Sequence, residues 1–364
     1  MVDSTLKGEN CPMLSTIIVK DQRFLEHKTR SGHPESPERL SAIYAALEPD
    51  IASGLYSEVL PREATFNEIA LNHSHEYIER IEKTSGHEYV NLDPDTHTSA
   101  GTWKAAILSV GAILTGIEYI QRRNARNAFA LVRPPGHHAE RNHAMGFCIF
   151  NNIAIGALYL QAVYKVDRIL IVDWDLHHGN GTQNTFYASQ HVCYLSIHQY
   201  PYYPGTGSFD EVGDGAGKGY TINIPLSGGQ GNRDYHYIFE EVVTPVAYQF
   251  KPQFILVSAG YDIYRFDPLG TMDVTPYGFY MISKTLVHLA ENLCEGKILF
   301  ALEGGYHPQG LAESVRYTLR ALHNSNNEAL KEVDAKKSSD IVFTNTKKIV
   351  SRIKKTHSQN WKFD

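Results

Sequence analysis

The residues best suited to chemistry lie in 168–180, RILIVDWDLHHGN. The apolar, β-branched run 168–172 reads as a buried strand. At its end come Asp173, Asp175, His177 and His178, followed by Gly179 and Asn180. Asp175 and His177 are two positions apart, a spacing that lets both side chains point the same way in extended or open-loop backbone. A carboxylate and an imidazole so placed begin a site for a borderline-hard divalent ion, zinc first, with iron or manganese as alternatives. Two protein ligands are too few for a stable site, so a third has to come from elsewhere in the chain. Taken alone, the segment reads equally well as a polar loop behind a strand.

Three further stretches have the same shape. NAFALVRPPGHH (127–138) is an apolar run, a rigid Pro-Pro-Gly turn, and then His137 and His138. FILVSAGYD (254–262) ends in Gly260, Tyr261 and Asp262, and KILFALEGGY (297–306) ends in Glu303, two glycines and Tyr306. Four apolar strands that each release polar residues at the C-terminal end predict a parallel sheet, covered on both faces, with a site along one edge. Asp262 is then the natural third ligand. Asp175, His177 and Asp262 would leave a coordination position open for water, which is the pattern of a catalytic zinc.

The elements that must hold these residues follow from the rest of the chain. Its 364 residues allow one large α/β domain or two small ones, and 42% hydrophobic content is ordinary for a globular protein. Lys and Arg number 34 against 40 Asp and Glu, a formal charge of -6, which does not suggest a nucleic-acid binder. Cys11, Cys148, Cys193 and Cys294 have no CxxC spacing and form no disulfide framework. No segment has the basic-then-apolar pattern of a signal peptide or eighteen uninterrupted apolar residues. The expectation is therefore a protein of a reducing, cytoplasmic compartment.

In chain order, residues 1–14 read as a loose leader and 15–20 as a first strand. Pro37 suits the first turn of a helix, with Glu38 at its positive end. The histidines of Asn72-His73-Ser74-His75 read as solvated or capping residues. A turn-rich segment at 91–101 precedes a long helix at 102–122, and further helices are expected at 152–164, 182–190, 233–250, 275–290 and 308–324. From 326 to 364 the composition shifts to lysine alternating with short apolar runs. This extension reads as solvated, IVFTNTKKIVSRIKK being either strand or helix, with docking to a partner or a membrane surface as the weaker alternative.

Seven segments together resemble the zinc-dependent histone deacetylase and acetylpolyamine amidohydrolase family, which has the arginase-like fold. They are HPESPERL (33–40), RPPGHH (133–138), GFCIFNN (146–152), VDWDLHHGNG (172–181), LSIHQYPYYPGTG (195–207), SAGYD (258–262) and EGGYHP (303–308), in the family's order across 15–325. The resemblance implies a single three-layer domain with a central, mainly parallel sheet flanked by helices. It implies one catalytic zinc on Asp175, His177 and Asp262. It also implies a tunnel lined by Gly146, Phe147, Tyr203 and Leu269, with Asp93 or Asp95 at the rim to hold a substrate backbone, and Arg39 in an inner channel that passes acetate. One or two structural potassium ions are implied as well. The first would sit on backbone oxygens of Asp173, Asp175 and His177 with Ser196 and Ile197, and the second near Phe186, Ser189, Val192 and Tyr220.

The chemistry this supports is amide hydrolysis. A bound metal polarises the carbonyl and acidifies water. His137 and His138 handle protons, oriented by Asp173 and Asn180 respectively. Tyr306 donates to the developing oxyanion. Asn180 stands where some family members carry Asp, a feature of the class II branch. The polyamine-specific branch places an acidic gatekeeper near Leu269, and leucine there points to acyl-lysine in a peptide or protein. The alternatives are an acetylpolyamine amidohydrolase and, less favoured, a non-catalytic acyl-lysine binding protein.

Overall fold

The computed structural model describes residues 15–323 and 342–363. The expected leader at 1–14 and most of the first part of the lysine-rich extension lie outside the described residues. Eight strands form one sheet: β1 Thr16–Val19, β2 Ser57–Val59, β3 Asn127–Ala130, β4 Ile169–Asp173, β5 Val192–Gln199, β6 Thr221–Leu226, β7 Phe254–Ala259 and β8 Ile298–Leu302. Their order is β2-β1-β3-β8-β7-β4-β5-β6, and every neighbouring pair is parallel. Every residue of β3 to β8 is buried. This is why these strands read as continuous apolar runs with no alternation: helices cover both faces.

The four strands that carry polar residues at their ends are consecutive in the sheet, as β3-β8-β7-β4. Their registers are level, with Asp173 opposite Ser258 and Ala259 opposite Leu302. The loops that follow them therefore leave the sheet side by side, and residues from distant parts of the sequence meet along one edge.

Helices begin where local chemistry favours them. Pro37, Pro276 and Pro308 each occupy the first turn of a helix, where a missing N–H leaves nothing unpaired. Thr102–Gln121 is apolar on nearly all sides and packs within the core, with 15 of its 20 residues buried. It is the one described helix long and apolar enough to span a membrane by composition, and its burial marks it as a core helix. A short antiparallel ribbon, Val90–Asn91 with His97–Thr98, brackets the turn that holds Asp93 and Asp95.

Two local expectations differ from what is found. His73 is buried, and its Nε2 accepts the backbone N–H of Asn151 at 2.9 Å. It ties two loops together and is neither solvated nor a cap; Ser74 caps the following helix. The described part of the C-terminal extension, 342–363, likewise has a packed face and is not solvated throughout. Helix Thr344–His357 turns Val350 and Ile353 inward, and Trp361 beyond it is buried too. Its lysines lie between the apolar positions of an amphipathic helix, so a basic composition coexists with a packed face.

Candidate metal centre and its pocket

Asp175 and His177 sit on the loop just past β4, and Asp262 just past β7. Their ligand atoms lie within 4.8 Å of one another, and all three residues are buried. His177 Nδ1 is 3.2 Å from Asp175 Oδ1 and 3.1 Å from Asp262 Oδ2. The remaining oxygens are fixed by backbone: Leu176 N–H donates to Asp262 Oδ1 at 2.9 Å and Gly304 N–H to Asp175 Oδ2 at 2.8 Å. Gly304 must be glycine for this approach, because a Cβ there would lie 2.4 Å from Asp262 Oδ2.

This set fits a divalent cation. Asp262 Oδ2 is buried and has no hydrogen-bond partner among the described residues. Burial, and then the charge of Asp175, push the Asp262 carboxyl up to about 7. Two carboxylates in one buried space need a cation between them to be ionised together. Burial opposes charge on His177, yet the adjoining carboxylates of Asp175 and Asp262 outweigh it and raise the ring to about 9. Held by Asp175, His177 and Asp262, a bound metal would take the place of that proton. A second group able to hold an ion, His137, Cys148 and Glu303, is occupied differently: Glu303 accepts the N–H groups of Gly136 and His137 at 2.7 and 3.2 Å and so fixes the Pro-Pro-Gly turn.

The paired histidines arrive on that turn after β3. His137 Nδ1 is 3.0 Å from Asp173 Oδ2, which also accepts the Tyr194 hydroxyl at 3.0 Å. Burial disfavours a charged His137, but Asp173 and Asp175 prevail and raise it to about 10. His138 Nδ1 is 2.7 Å from Asn180 Oδ1. Burial, then the neighbouring His137 and His177, hold His138 well below the usual histidine range. One ring of the pair therefore keeps a proton and the other is neutral, as the different partners Asp173 and Asn180 dictate.

A pocket of about 330 Å³ opens over these groups, lined by His138, Gly146, Phe147, His177, Tyr202, Tyr203, Leu269 and Tyr306, with Asp95 at its rim. Phe147 adopts φ +67°, a conformation a bulky side chain rarely takes. Its N–H donates to Thr96 Oγ1 at 3.0 Å, which holds the ring in the wall. Gly146, at φ +56°, lies against the His138 ring so closely that a Cβ would come within 2.3 Å of it. The opposite wall has two rings. Tyr203 meets His138 edge-on at 5.1 Å, and Tyr202 stacks on His177 at 5.7 Å. Of the two rim acids, Asp93 is used internally, accepting the N–H groups of Asp95 and Thr96, and Asp95 faces the pocket.

Tyr306 completes the site. Its N–H donates to Asp267 Oδ2 at 2.6 Å, Phe147 meets its ring edge-on at 5.9 Å, and the Arg39 guanidinium lies 5.0 Å from its ring centre. Asp267 also accepts the N–H of Leu269 at 3.0 Å, so one carboxylate ties the tyrosine to the opposite lining residue. Arg39 is buried and donates to the carbonyls of Gly305 and Glu303, with Nη1 3.0 Å from Glu35. Glu35 also pairs with Arg133 and His27.

Sequence reasoning does not single out Glu35, Arg133 or Asp267, names Glu303 only as the polar end of its strand, and prefers Tyr203 to Tyr202 as the wall. For Asp267 and Glu303 a signal existed, a carboxylate placed next to a glycine-bearing loop after a strand. The Glu35–Arg133 pair joins positions 98 apart and leaves no local trace. Ser196 Oγ is 2.9 Å from His198 Nδ1, and the carbonyls of Phe186 and Tyr220 accept the N–H groups of Ser189 and Tyr194. Potassium rests on the resemblance alone.

Comparison with known proteins agrees with this geometry. The model of the histone deacetylase domain matches residues 33–322. Histone deacetylase 15 of Arabidopsis thaliana is 40% identical over 336 residues, 90% of this chain and 60% of that protein. Polyamine deacetylase HDAC10 of Danio rerio is 41% identical over 321 residues, 84% of this chain and 47% of that protein. The chain thus spans roughly half to three-fifths of these relatives' length. The crystal structure of the HDA15 HD domain superposes with a TM-score of 0.88 at 37% identity, covering 96% of this chain and 95% of the other. The parallel sheet, the buried Asp-His-Asp set and these matches agree: the chain belongs to the histone deacetylase family and has its arginase-deacetylase fold.

Proposed function

We propose that the protein is a zinc-dependent amidohydrolase that removes acetyl, or a related short acyl group, from the Nε of lysine in a peptide or protein. The observation that carries this reading is the buried Asp175, His177 and Asp262 set, in which Asp262 Oδ2 accepts no hydrogen bond among the described residues, beneath a pocket walled by Phe147, Tyr202 and Tyr203 and closed by His138 and Tyr306. When bound, zinc would polarise the amide carbonyl and lower the pKa of water.

The chain's own residues do the rest. The aromatic walls clasp the aliphatic stem of the lysine, each methylene contributing about 0.8 kcal/mol when buried. His138, neutral and held through Nδ1 by Asn180, has Nε2 available to take a proton from the attacking water. The same atom returns that proton to the departing amine, so amide and water become amine and carboxylic acid, which leave as ammonium and carboxylate. Protonated His137 lends positive charge beside it, and Tyr306 donates a hydrogen bond to the oxyanion.

A second reading is an acylpolyamine substrate. The Danio rerio relative is named a polyamine deacetylase, and Asp95 supplies one acidic group at the rim. Apolar Leu269 in the lining favours the acyl-lysine reading. A panel of acetyl-lysine peptides and N-acetylspermidine, run on zinc-loaded protein with a chelator control, separates the two. The expected result is chelator-sensitive release of acetate with higher kcat/KM on peptides. Higher kcat/KM on acetylspermidine would replace this reading with the second, and no turnover of either would remove both.

A further inference from the structure

Both rings of the wall opposite Phe147 stand on one loop, 200–209. Its inner side is well held: Tyr200 N–H donates to the Leu226 carbonyl at 2.7 Å, and the N–H groups of Gly207 and Ser208 donate to Glu211 Oε1 at 3.0 Å. On its outer side, Tyr200 and Phe209 face a cavity of about 290 Å³ whose far wall is helix Thr344–His357, through Asn345, Ile349 and Arg352. The Arg352 guanidinium lies 3.1 Å from the centre of the Phe209 ring, a direct cation–π contact between helix and loop.

The helix is itself firmly seated. Phe343 N–H donates to Asp234 at 2.9 Å before it, and Asn345 Nδ2 donates to Ser227 Oγ at 2.9 Å in its first turn. Val350 and Ile353 are buried beneath it. Beyond its end, Trp361 donates to the Gly219 carbonyl at 2.8 Å and packs edge-on against Tyr220. A segment fixed before, along and after the helix presents a rigid surface to the base of the aromatic loop. This segment lies outside residues 33–322, which match the family.

We infer that helix Thr344–His357 braces the substrate pocket: by holding Phe209 from outside through Arg352, it sets where Tyr202 and Tyr203 stand. Arg352 is then a positioning residue that acts through Phe209, without touching substrate. The inference rests on the acyl-lysine reading for its kinetic consequence, because clasping substrate is the work of that wall.

The test is a double-mutant cycle on the full chain, with Arg352→Ala, Phe209→Leu and the double variant, assayed with an acetyl-lysine peptide. Each single variant is expected to raise KM roughly two- to fivefold, the worth of an exposed cation–π contact, with kcat within about twofold of the parent. The double variant is expected to be no worse than the worse single, and Arg352→Lys should recover most of the parent KM. Partial unfolding alone would instead lower kcat at unchanged KM. Unchanged KM in both single variants, or KM increases that multiply in the double variant, would overturn the brace. Amide hydrogen exchange gives a readout independent of turnover: Arg352→Ala is expected to speed exchange within 200–209 and leave β5 unchanged. If the parent cleaves no acyl-peptide, the functional reading falls, and unaltered protection of 200–209 in Arg352→Ala would still overturn the brace.

Discussion

Replacing Tyr306 by Phe removes one hydroxyl and little else. The ring contacts with Phe147 and Arg39 are kept, and the bond that fixes the residue runs from its backbone N–H to Asp267. The hydroxyl itself has no protein hydrogen-bond partner among the described residues, so no internal bond is lost and thermal stability should move by less than about 0.5 kcal/mol. Burial, then the charges of Asp262 and Asp175, push the phenol well above its usual range. The group is therefore a donor at every working pH. Loss of one oxyanion donor typically lowers kcat by about 10²- to 10³-fold, equivalent to ~2.7–4 kcal/mol of transition-state stabilisation. Steady-state kinetics on an acetyl-lysine peptide, with metal content measured in parallel, are expected to show that drop in kcat, KM within about twofold and full metal occupancy. A loss of kcat below tenfold, or a defect confined to KM, would refute the oxyanion role, because the substitution would then have removed ordinary substrate binding.

Three further outcomes are expected. In chelator-treated protein His177 is raised from 6.5 to about 9 and Asp262 from 3.8 to about 7, so both favour their protonated forms on folding. The stability from His177 is fully present below about pH 6.5 and lost as pH rises through 9, and that from Asp262 is lost earlier. Metal binding needs both deprotonated, so the thermal midpoint of the loaded protein over the chelated one should widen from pH 6.5 to 9; a constant gap would contradict the assignment. Asn180→Asp places a carboxylate at His138 Nδ1 and also against Glu140, so it is combined with Glu140→Gln. The acid limb of the kcat/KM profile should then move to higher pH, and an unmoved limb would argue against His138 as base. Leu269→Glu adds an acid to the pocket lining and is expected to raise the ratio of acetylspermidine to acetyl-lysine kcat/KM severalfold, measured by competition between the two; an unchanged ratio would remove Leu269 as a determinant of substrate class.

Much of the sheet could be read from the chain because its strands are buried on both faces. Continuous apolar runs that stop at charged residues are what a parallel sheet with an edge site requires, and β3, β8, β7 and β4 prove to be neighbours. The Asp-His-Asp set followed from the same logic, since side chains at the ends of adjacent level strands must meet. Orienting contacts made across the fold were less visible. Asp267 reaches the Tyr306 backbone, and Glu35 reaches Arg133, through distances in space that no spacing in sequence records. The packed face of the C-terminal segment is hard to see in the sequence for another reason. Its lysine content masked the apolar stripe of Ile349, Val350 and Ile353, whose helical spacing was present all along.

The site stands or falls on Asp262, the ligand that comes from a separate strand. Parent protein and Asp262→Ala should be compared for bound divalent metal, by elemental analysis after dialysis, and for acetyl-lysine turnover in the same preparations. One equivalent of metal in the parent, with metal and turnover lost together in the variant, is the expected result. A variant that keeps its metal and cleaves the peptide at the parent rate would contradict the proposed centre.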